Sequence, residues 1–513
     1  MSGYLRRLAT TGAAYTAASI LSKLIAVALL PLYTRYLTPA DYGAAEVMFA
    51  AVVSASIVVR LGTVEALLPF YYKDDEDPDR VVATSFAAMF WVATAAALVA
   101  LPFAGQISEA LLNRSAPDLA RISIGGLWVL TMFEYLLTLF QLEERARAFF
   151  LTTIFNVAVT IGLTVVLVVG QGEGARGLLL GSFAAGAAFV LGLIFVHRRR
   201  LSLRVDRELL RRLMRFGLPT MPAELSLYLL NFVDRIIIVR SAGLAEAGLY
   251  SLAVKFAQAV NVLVRGFQLA WPPLAYSIRD DGEARRAYAA IVTWFVAGCA
   301  FVVTGMWLLS RWIVRALAAP EFFGSYKAIG LISTAVTLYA LYMVLVVILG
   351  RTGRTGFNLP AAIAALVVNV ALNLALVPPL GIVGAGIALV ASYVVVLALM
   401  YGFTQRLFPV PYEWGRLTRV VLVSAALVLA GELLLPTSGA VGLLGRAILW
   451  LVYPALLLVS GFFTAEERGW LAMLGHPGEM AQRLRTLRDR PTEVDGSVPE
   501  EYEAELMDED ARL

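Results

Sequence analysis

The sequence is poor in the residues that build disulfide frameworks, metal sites and nucleotide-driven motors. It has one cysteine, Cys299, and two histidines, His197 and His476, among 513 residues. One thiol gives no disulfide framework, and neither histidine has a partner at metal-ligand spacing. The chain also has no GxxxxGK(S/T) stretch, which argues against an intrinsic ATP motor. We therefore predict no metal, no cofactor and no ATP hydrolysis.

Charge is scarce as well, because only 16% of the residues are charged while 59% are hydrophobic, with a mean hydropathy of +0.76. Soluble proteins carry charge on about 25% of their residues. Apolar runs of about 20 residues recur along the chain, as is typical of helices that span a bilayer. We predict an all-α polytopic membrane protein with about fourteen transmembrane helices, near residues 12–36, 44–71, 81–104, 122–142, 149–170, 175–196, 217–239, 246–275, 287–310, 327–349, 357–377, 382–403, 417–435 and 442–463. The second and eighth segments are long enough to be tilted or to protrude.

Basic residues concentrate in one set of the predicted loops and indicate the orientation. The start, MSGYLRRLATTG, is basic but has no small-residue cleavage site, so the first segment is predicted to be a retained span. With this end inside, the inner loops hold most of the arginines, including the cluster HRRRLSLRVDRELLRRLMR between segments six and seven. Lys and Arg mark cytoplasmic loops. Both termini are therefore predicted to face the cytoplasm.

A stretch near the start, TRYLTPADYGAAEVMFA, returns in weaker form as VRSAGLAEAGLYSLAVK. At a fixed lag of roughly 205 positions, Gly43 falls on Gly248 and Arg60 on Arg265. A second stretch, GQGEGARGLLLG, aligns with VPPLGIVGAGIA at nearly the same lag. Since each copy holds six segments, an even number, the copies are predicted to have the same orientation around an axis along the membrane normal.

The repeat predicts two six-helix lobes around a central cavity, followed by two extra helices. The predicted divisions are an N-lobe (1–196), a basic cytoplasmic linker (197–216), a C-lobe (217–404), helices thirteen and fourteen (405–463) and a cytoplasmic tail (464–513). The end of the tail, EVDGSVPEEYEAELMDEDARL, is acidic and poor in apolar residues, so we expect it to be disordered.

Several charged residues fall inside the apolar segments. An ionised side chain in mid-bilayer costs at least ~2.5 kcal/mol, so such residues usually face a polar interior. Lys23, Arg60 and Arg265 have no obvious acidic neighbour in sequence, and we predict that they line a cavity, together with Lys255, which lies nearer the outer end of segment eight. Six further charged residues are candidates for ion coupling or for pairing between the lobes: Glu46, Glu65, Glu134, Glu224, Asp234 and Arg235.

Three motifs resemble one family of transporters. RYLTPADYG is similar to the end of the first helix of bacterial polysaccharide flippases, while FGLPTMP and GLYSLAVKFA resemble their seventh and eighth helices. This family is the polysaccharide transporter branch of the multidrug/oligosaccharidyl-lipid/polysaccharide exporter superfamily. Fourteen segments fit this branch and the related lipid II flippases, whereas drug/cation antiporters usually have twelve. The resemblance implies that Lys23, Arg60 and Arg265 sit where lipid II flippases present cations to a diphosphate.

The resemblance further implies a flippase that moves a polyprenyl-diphosphate-linked oligosaccharide, such as an O-antigen, capsule or exopolysaccharide repeat unit. Movement would run from the inner to the outer leaflet of the bacterial cytoplasmic membrane, by alternating access, with H⁺ or Na⁺ as the open choices of coupling ion. The expected partners are the lipid-linked glycan, membrane lipid, and a glycan polymerase with its chain-length machinery, and no nucleic acid.

Two other functions remain open on the residues alone. A multidrug/cation antiporter would use buried acids as exchange sites, but the deep basic residues and two additional segments argue against it. A membrane glycan polymerase or glycosyltransferase would need catalytic carboxylates displayed at one face. The acidic run KDDED at 73–77 is confined to a short inner loop and is most simply a solvated turn. The chain is therefore predicted to be a transporter and not an enzyme.

Overall fold

The computed structural model describes residues 21, 27–72, 77–219, 221–464 and 467–468. All regular elements in these ranges are helical, which confirms the all-α prediction. The α-helices are, in chain order, α1 (Leu30–Tyr36), α2 (Pro39–Arg60), α3 (Thr63–Tyr71), α4 (Pro78–Ala100), α5 (Ala104–Leu112), α6 (Pro117–Leu142), α7 (Ala146–Val165), α8 (Gly174–His197), α9 (Arg207–Gly217), α10 (Met221–Ala242), α11 (Leu244–Ala257), α12 (Val260–Ser277), α13 (Asp281–Leu317), α14 (Tyr326–Arg351), α15 (Asn358–Leu380), α16 (Ile382–Leu407), α17 (Trp414–Leu434) and α18 (Gly439–Val459).

Eleven helical segments of the described chain are long and apolar enough to cross a membrane. They are Pro39–Arg60, Pro78–Leu112, Pro117–Leu142, Ala146–Gly170, Gly174–His197, Asp281–Leu317, Pro320–Arg351, Asn358–Leu380, Ile382–Leu407, Trp414–Leu434 and Gly439–Val459. This number of apolar helices makes the chain a multi-pass membrane protein.

Three of the fourteen predicted segments have no counterpart among these eleven. The first, 12–36, falls mostly outside the described residues, although α1 forms its end. The seventh corresponds to α10, which is 22 residues long but carries four charged side chains: Glu224, Asp234, Arg235 and Arg240. The eighth is divided into α11 and α12 at Gln258 and Ala259. The count of fourteen and the lobe arrangement stay predictions.

The second segment, which is predicted to be long, is divided as well. Local interactions explain where its first helix, α2, begins and ends. It begins where Thr38 caps α2, its hydroxyl accepting a hydrogen bond from the Asp41 backbone N–H at 3.1 Å. It breaks where Leu61 and Gly62 adopt left-handed conformations, with φ of 50° and 68°. Two left-handed residues end a right-handed helix. Arg60 therefore occupies the last residue of α2, directly before a change of helix direction.

The sequence repeat recurs in the contacts. Gly174 has a φ of +52°, and a Cβ added there would lie 3.4 Å from the Asp41 carboxylate. Gly381 has a φ of +56°, and its added Cβ would lie 3.8 Å from the Glu246 carboxylate. Because Asp41 and Glu246 are themselves paired by the repeat, the two copies place a left-handed glycine against the same acidic position.

Buried apolar residues form two clusters. The first joins residues from both copies of the repeat, including Tyr42 of α2 and Tyr250 of α11. The second joins the first copy to the linker and includes Leu67 of α3, together with Leu209 and Leu213 of α9. The helix in the predicted linker is therefore packed onto the first copy of the repeat.

Residues 454–513 divide from residues 1–453 as a second compact unit. The described part of this unit contains the end of α18, at Val459, and continues to residue 464. The predicted tail and its acidic end lie outside the described residues, apart from 464, 467 and 468.

Candidate transport cavities

A cavity of about 770 Å³ lies between α2, α10, α11, α12, α14 and α16. We call it the larger cavity. Its wall combines aromatic rings, such as Tyr339 and Trp271, with the side-chain amides of Gln258, Asn261 and Gln268. Aromatic faces and amides suit a polar ligand that also presents C–H surfaces.

A second cavity of about 510 Å³, the smaller cavity, lies between α1, α2, α6, α7 and α8. Its wall is mainly apolar. Glu46, Phe49, Val53 and Lys255 line both cavities, so these four residues form the wall common to the two spaces. Each cavity draws most of its helices from one copy of the repeat.

The common wall carries an ion pair that sequence reasoning did not foresee. Lys255 Nζ lies 3.1 Å from Glu46 Oε1, and Glu46 is buried with 7% of its surface exposed. Glu46 belongs to α2, and Lys255 stands in the last turn of α11, where the helix dipole favours a cation. Glu46, a candidate for ion coupling or for pairing between the lobes, and Lys255, a candidate for substrate binding, therefore neutralise each other here.

Arg265 lines the larger cavity with an exposed side chain. It forms no ion pair with any residue in the part of the chain that the structure describes. The tyrosines Tyr228 and Tyr339 lie near enough for its charge to act on their hydroxyls. Unlike Lys255, Arg265 thus brings to the larger cavity a positive charge that no described carboxylate pairs with.

Arg60 lies outside the residues that line either cavity. Its guanidinium pairs with Glu224 of α10 at 3.1 Å and with Glu134 of α6 at 3.6 Å. Glu65 of α3 adds a third carboxylate beside Glu224. Arg60 has no obvious acidic neighbour in sequence, but helix packing brings it together with carboxylates that are 74 and 164 positions away along the chain. Arg60 joins α2 to α10 across the two copies of the repeat.

Asp234 is completely buried and held by neutral donors. The Tyr250 hydroxyl donates to its Oδ2 at 2.8 Å, and the Asn373 amide donates to its Oδ1 at 2.7 Å. Asn369, one turn earlier on α15, is also fully buried and lies close to the same carboxylate. A carboxylate among amide and hydroxyl groups can hold a proton or a small cation.

Arg235 follows Asp234 but points to other partners. Its Nε donates to the Ser251 hydroxyl at 3.1 Å, and its side chain lines the larger cavity. Lys23, the remaining predicted cation, lies outside the described residues. In the described part of the chain, no group of three or more His, Cys, Asp or Glu side chains is placed to hold a metal ion.

Sequence reasoning missed the amides and the aromatic residues of these sites. Asn369 and Asn373 carried a signal, since two asparagines one turn apart are unusual in an apolar segment. Tyr250, Tyr339 and Trp271 carried none, because tyrosine and tryptophan are common at the ends of membrane spans.

Membrane-spanning helices that enclose cavities lined with charged, amide and aromatic side chains define a membrane transporter. The sequence profile of a family described as "Polysaccharide biosynthesis protein" matches residues 32–326. This match exceeds half of the chain, and the chain belongs to that family.

One curated relative and several solved structures resemble the chain. The succinoglycan biosynthesis transport protein ExoT of Rhizobium meliloti (strain 1021) is 23% identical over 311 residues, which cover 59% of this chain and 61% of that protein. The match therefore spans about three fifths of that relative's length.

The solved structures share the fold at low sequence identity. Lipid II flippase MurJ in an inward closed conformation is 12% identical, with a TM-score of 0.69 over 86% of this chain and 98% of that one. An inward-facing multidrug resistance MATE family transporter is 16% identical, with a TM-score of 0.62 over 76% of this chain and 95% of that one. The chain shares the fold of these two transporters.

Proposed function

We propose that the protein is a flippase for a polyprenyl-diphosphate-linked oligosaccharide. The observation that carries the proposal is the larger cavity, where Arg265 faces open space without an ion-pair partner among the described residues. An exposed cation in a membrane cavity suits a diphosphate, while aromatic rings and amides suit the attached sugars. ExoT, a succinoglycan biosynthesis transport protein, and MurJ, a lipid II flippase, support the same class of substrate.

In this mechanism the diphosphate and glycan occupy the larger cavity and the lipid chain stays in the bilayer. Arg265 offsets the hydration that the diphosphate loses on leaving the membrane surface. The Glu46–Lys255 ion pair also responds to the substrate, because an anion beside Lys255 competes with Glu46 for the ammonium group. An inside-negative potential drives each negative charge outward by about 2.3 kcal/mol per 100 mV.

Alternating access requires contacts between the two copies of the repeat that break and re-form. Arg60 and Glu224 provide one such contact at the end of α2, and Gly43 and Gly248 provide another near its beginning. We assign them to opposite ends of the passage, with the Arg60 end cytoplasmic under the predicted topology. Opening one end of the passage separates the contact at that end, while the contact at the other end is kept.

Asp234 is the proposed coupling site, with H⁺ or Na⁺ as the ion. Its carboxylate accepts hydrogen bonds from Tyr250 and Asn373, and these neutral groups surround the position that a bound proton or small cation would take. The chain carries out no catalytic step in this account. It acts in a bacterial inner membrane and delivers its glycan to an external polymerase with its chain-length machinery.

A multidrug/cation antiporter is the second candidate, favoured by the likeness to the MATE transporter structure and by buried acids such as Asp234. The cavity chemistry argues against it. Glu46 is neutralised by Lys255, while the positive charge of Arg265 repels a cationic solute. A glycan polymerase or glycosyltransferase has less support, since the described cavities lie within membrane helices.

The experiment reconstitutes the purified protein in vesicles and measures two activities side by side. One is the transfer of a fluorescent polyprenyl-diphosphate oligosaccharide between leaflets, and the other is the uptake of a cationic dye. We expect transfer of the glycolipid above that of empty vesicles and no dye uptake. Dye uptake without glycolipid transfer would establish the antiporter instead.

A further inference from the structure

The linker helix α9 has two different faces. Its sequence, RELLRRLMRFG, begins after Asp206, whose carboxylate accepts hydrogen bonds from the backbone N–H groups of Glu208 and Leu209, both at 3.1 Å. This cap fixes the start of the helix. Leu209 and Leu213, one turn apart, are completely buried against α3 and α4. The apolar face of α9 is therefore already covered by the protein itself.

The other face is a row of arginines. Arg207, Arg211 and Arg215 are exposed and follow one another at intervals of four residues, about 6 Å apart along the helix. None of the three forms an ion pair with a described residue. Like charges four residues apart on a helix repel each other, so this row is destabilising unless an anion lies against it. Between positions 197 and 217 the chain has eight arginines and two acidic residues, which makes the whole segment strongly positive.

Large apolar side chains are also exposed in the linker segment and at the end of the preceding span. Phe216 is 49% exposed, Leu203 is 50% exposed, and Phe195, at the end of the span α8, is 66% exposed with the Arg198 guanidinium 4.0 Å from its ring centre. Aromatic and aliphatic side chains mixed with arginines are the composition of a protein surface that lies in the headgroup layer of a bilayer. A soluble anion would match the arginines but would leave these apolar groups in water.

The far end of α9 touches the break between α2 and α3. A Cβ added to Gly217 would lie 1.9 Å from the Gly62 carbonyl oxygen, and one added to Gly62 would lie 2.2 Å from the backbone of Gly217. Gly62 is two residues from Arg60, and Gly217 is seven residues before its partner Glu224. The two glycines let the backbones meet, so a shift of α9 reaches the Arg60–Glu224 ion pair directly.

We propose that Arg207, Arg211 and Arg215 form a binding surface for the phosphate headgroups of anionic phospholipids, and that a bound lipid holds α9 against Gly62. The basic row faces the headgroup layer while its opposite face is anchored by Leu209 and Leu213. Anionic lipid thereby stabilises the arrangement in which Arg60 and Glu224 are paired. The surface lies apart from the cavities and recognises bulk lipid of the membrane, separately from the transported substrate.

The test compares the intact protein with a variant carrying Arg207→Gln, Arg211→Gln and Arg215→Gln in nanodiscs of phosphatidylcholine, with and without phosphatidylglycerol. A matched control carries Arg114→Gln and Arg315→Gln, two exposed arginines remote from α9 in sequence. Native mass spectrometry counts retained phosphatidylglycerol, and thermal unfolding reports stabilisation. We expect the triple variant to bind phosphatidylglycerol on the order of tenfold more weakly, while the control binds like the wild type.

Two further results decide the proposal. Pyrophosphate added to phosphatidylcholine nanodiscs at the same total charge should affect the wild type and the triple variant equally, and stabilisation by pyrophosphate that is lost in the triple variant would overturn the assignment to lipid. Equal phosphatidylglycerol binding by the wild type and the triple variant would overturn it as well. Unfolding in pure phosphatidylcholine serves as the check on folding, because Gln retains the helix and all three positions are exposed. None of these readouts depends on glycolipid transfer.

Discussion

Gly43 of α2 and Gly248 of α11 contact each other reciprocally. A Cβ added to Gly43 would lie 2.1 Å from the Leu244 carbonyl oxygen, and a Cβ added to Gly248 would lie 2.0 Å from the Pro39 carbonyl oxygen. The sequence repeat pairs Gly43 with Gly248 and Pro39 with Leu244 at the same lag. The contact is therefore self-complementary, as in an interface related by a two-fold axis. Both glycines are needed because backbone meets backbone at this crossing.

Replacing Gly43 by Ala should destabilise the protein by about 1–3 kcal/mol, because the added methyl group meets a carbonyl oxygen that belongs to a helix. Gly162→Ala is the matched control, since nothing lies within 4 Å of an added Cβ at that helical position. The control should be neutral or gain about 0.5–1 kcal/mol from helix propensity. Thermal or denaturant unfolding of the two purified variants checks the difference, and equal stability would show that the crossing is not tight.

Removing the Arg60 side chain should expose the repulsion between the carboxylates around it. Arg60→Met leaves Glu65, Glu134 and Glu224 without their cation, and we expect a loss of about 1–2 kcal/mol, reduced by the partial exposure of the glutamates. Adding Glu224→Gln to Arg60→Met should recover part of that loss. A double-mutant cycle by unfolding measures the coupling, and strictly additive effects would contradict the ion pair.

The stability of the protein should depend more on the Asn373 side chain, which donates a hydrogen bond to Asp234, than on a buried amide that has no such partner. Asn373→Leu removes a donor at 2.7 Å from a fully buried carboxylate, which should cost about 1–3 kcal/mol. Asn156→Leu is the comparison, because the amide nitrogen of Asn156 is buried without a hydrogen bond in the described structure. Unfolding should show little loss, or a gain, for Asn156→Leu. The reverse order of stabilities would refute the role given to Asn373.

Asp206 should give a pH-dependent contribution to stability. Hydrogen bonds from the Leu209 backbone N–H and from the Arg80 guanidinium lower the pKa of Asp206 below its ordinary value. A carboxyl group with a lowered folded-state pKa stabilises the fold above its unfolded pKa of about 3.9, and the contribution disappears as pH falls through the folded-state pKa. The stability difference between wild type and Asp206→Asn should thus be complete at pH 6 and shrink below pH ~4. A difference that is constant across this range would argue against an ionised Asp206 as the source.

Much of the fold followed from composition and periodicity, whereas the charge balance of the site did not. Apolar runs predicted the membrane helices, and the lag near 205 paired Gly43 with Gly248 before any contact was known. The same lag paired Arg60 with Arg265, but their surroundings differ. Glu134 and Glu224 reach Arg60 from distant positions in the chain, while the described carboxylates leave Arg265 open to the larger cavity. Which cation is compensated depends on helix packing, which no local pattern records.

The most direct test of the flippase proposal is the charge dependence of glycolipid transfer at Arg265. Wild type, Arg265→Lys, Arg265→Gln and the control Arg315→Gln are reconstituted at equal amounts, after unfolding confirms equal stability. Transfer of a polyprenyl-diphosphate oligosaccharide should fall on the order of tenfold or more in Arg265→Gln, be partly retained in Arg265→Lys, and be unchanged in Arg315→Gln. Transfer by Arg265→Gln at the wild-type rate would contradict the assignment of the larger cavity to the diphosphate.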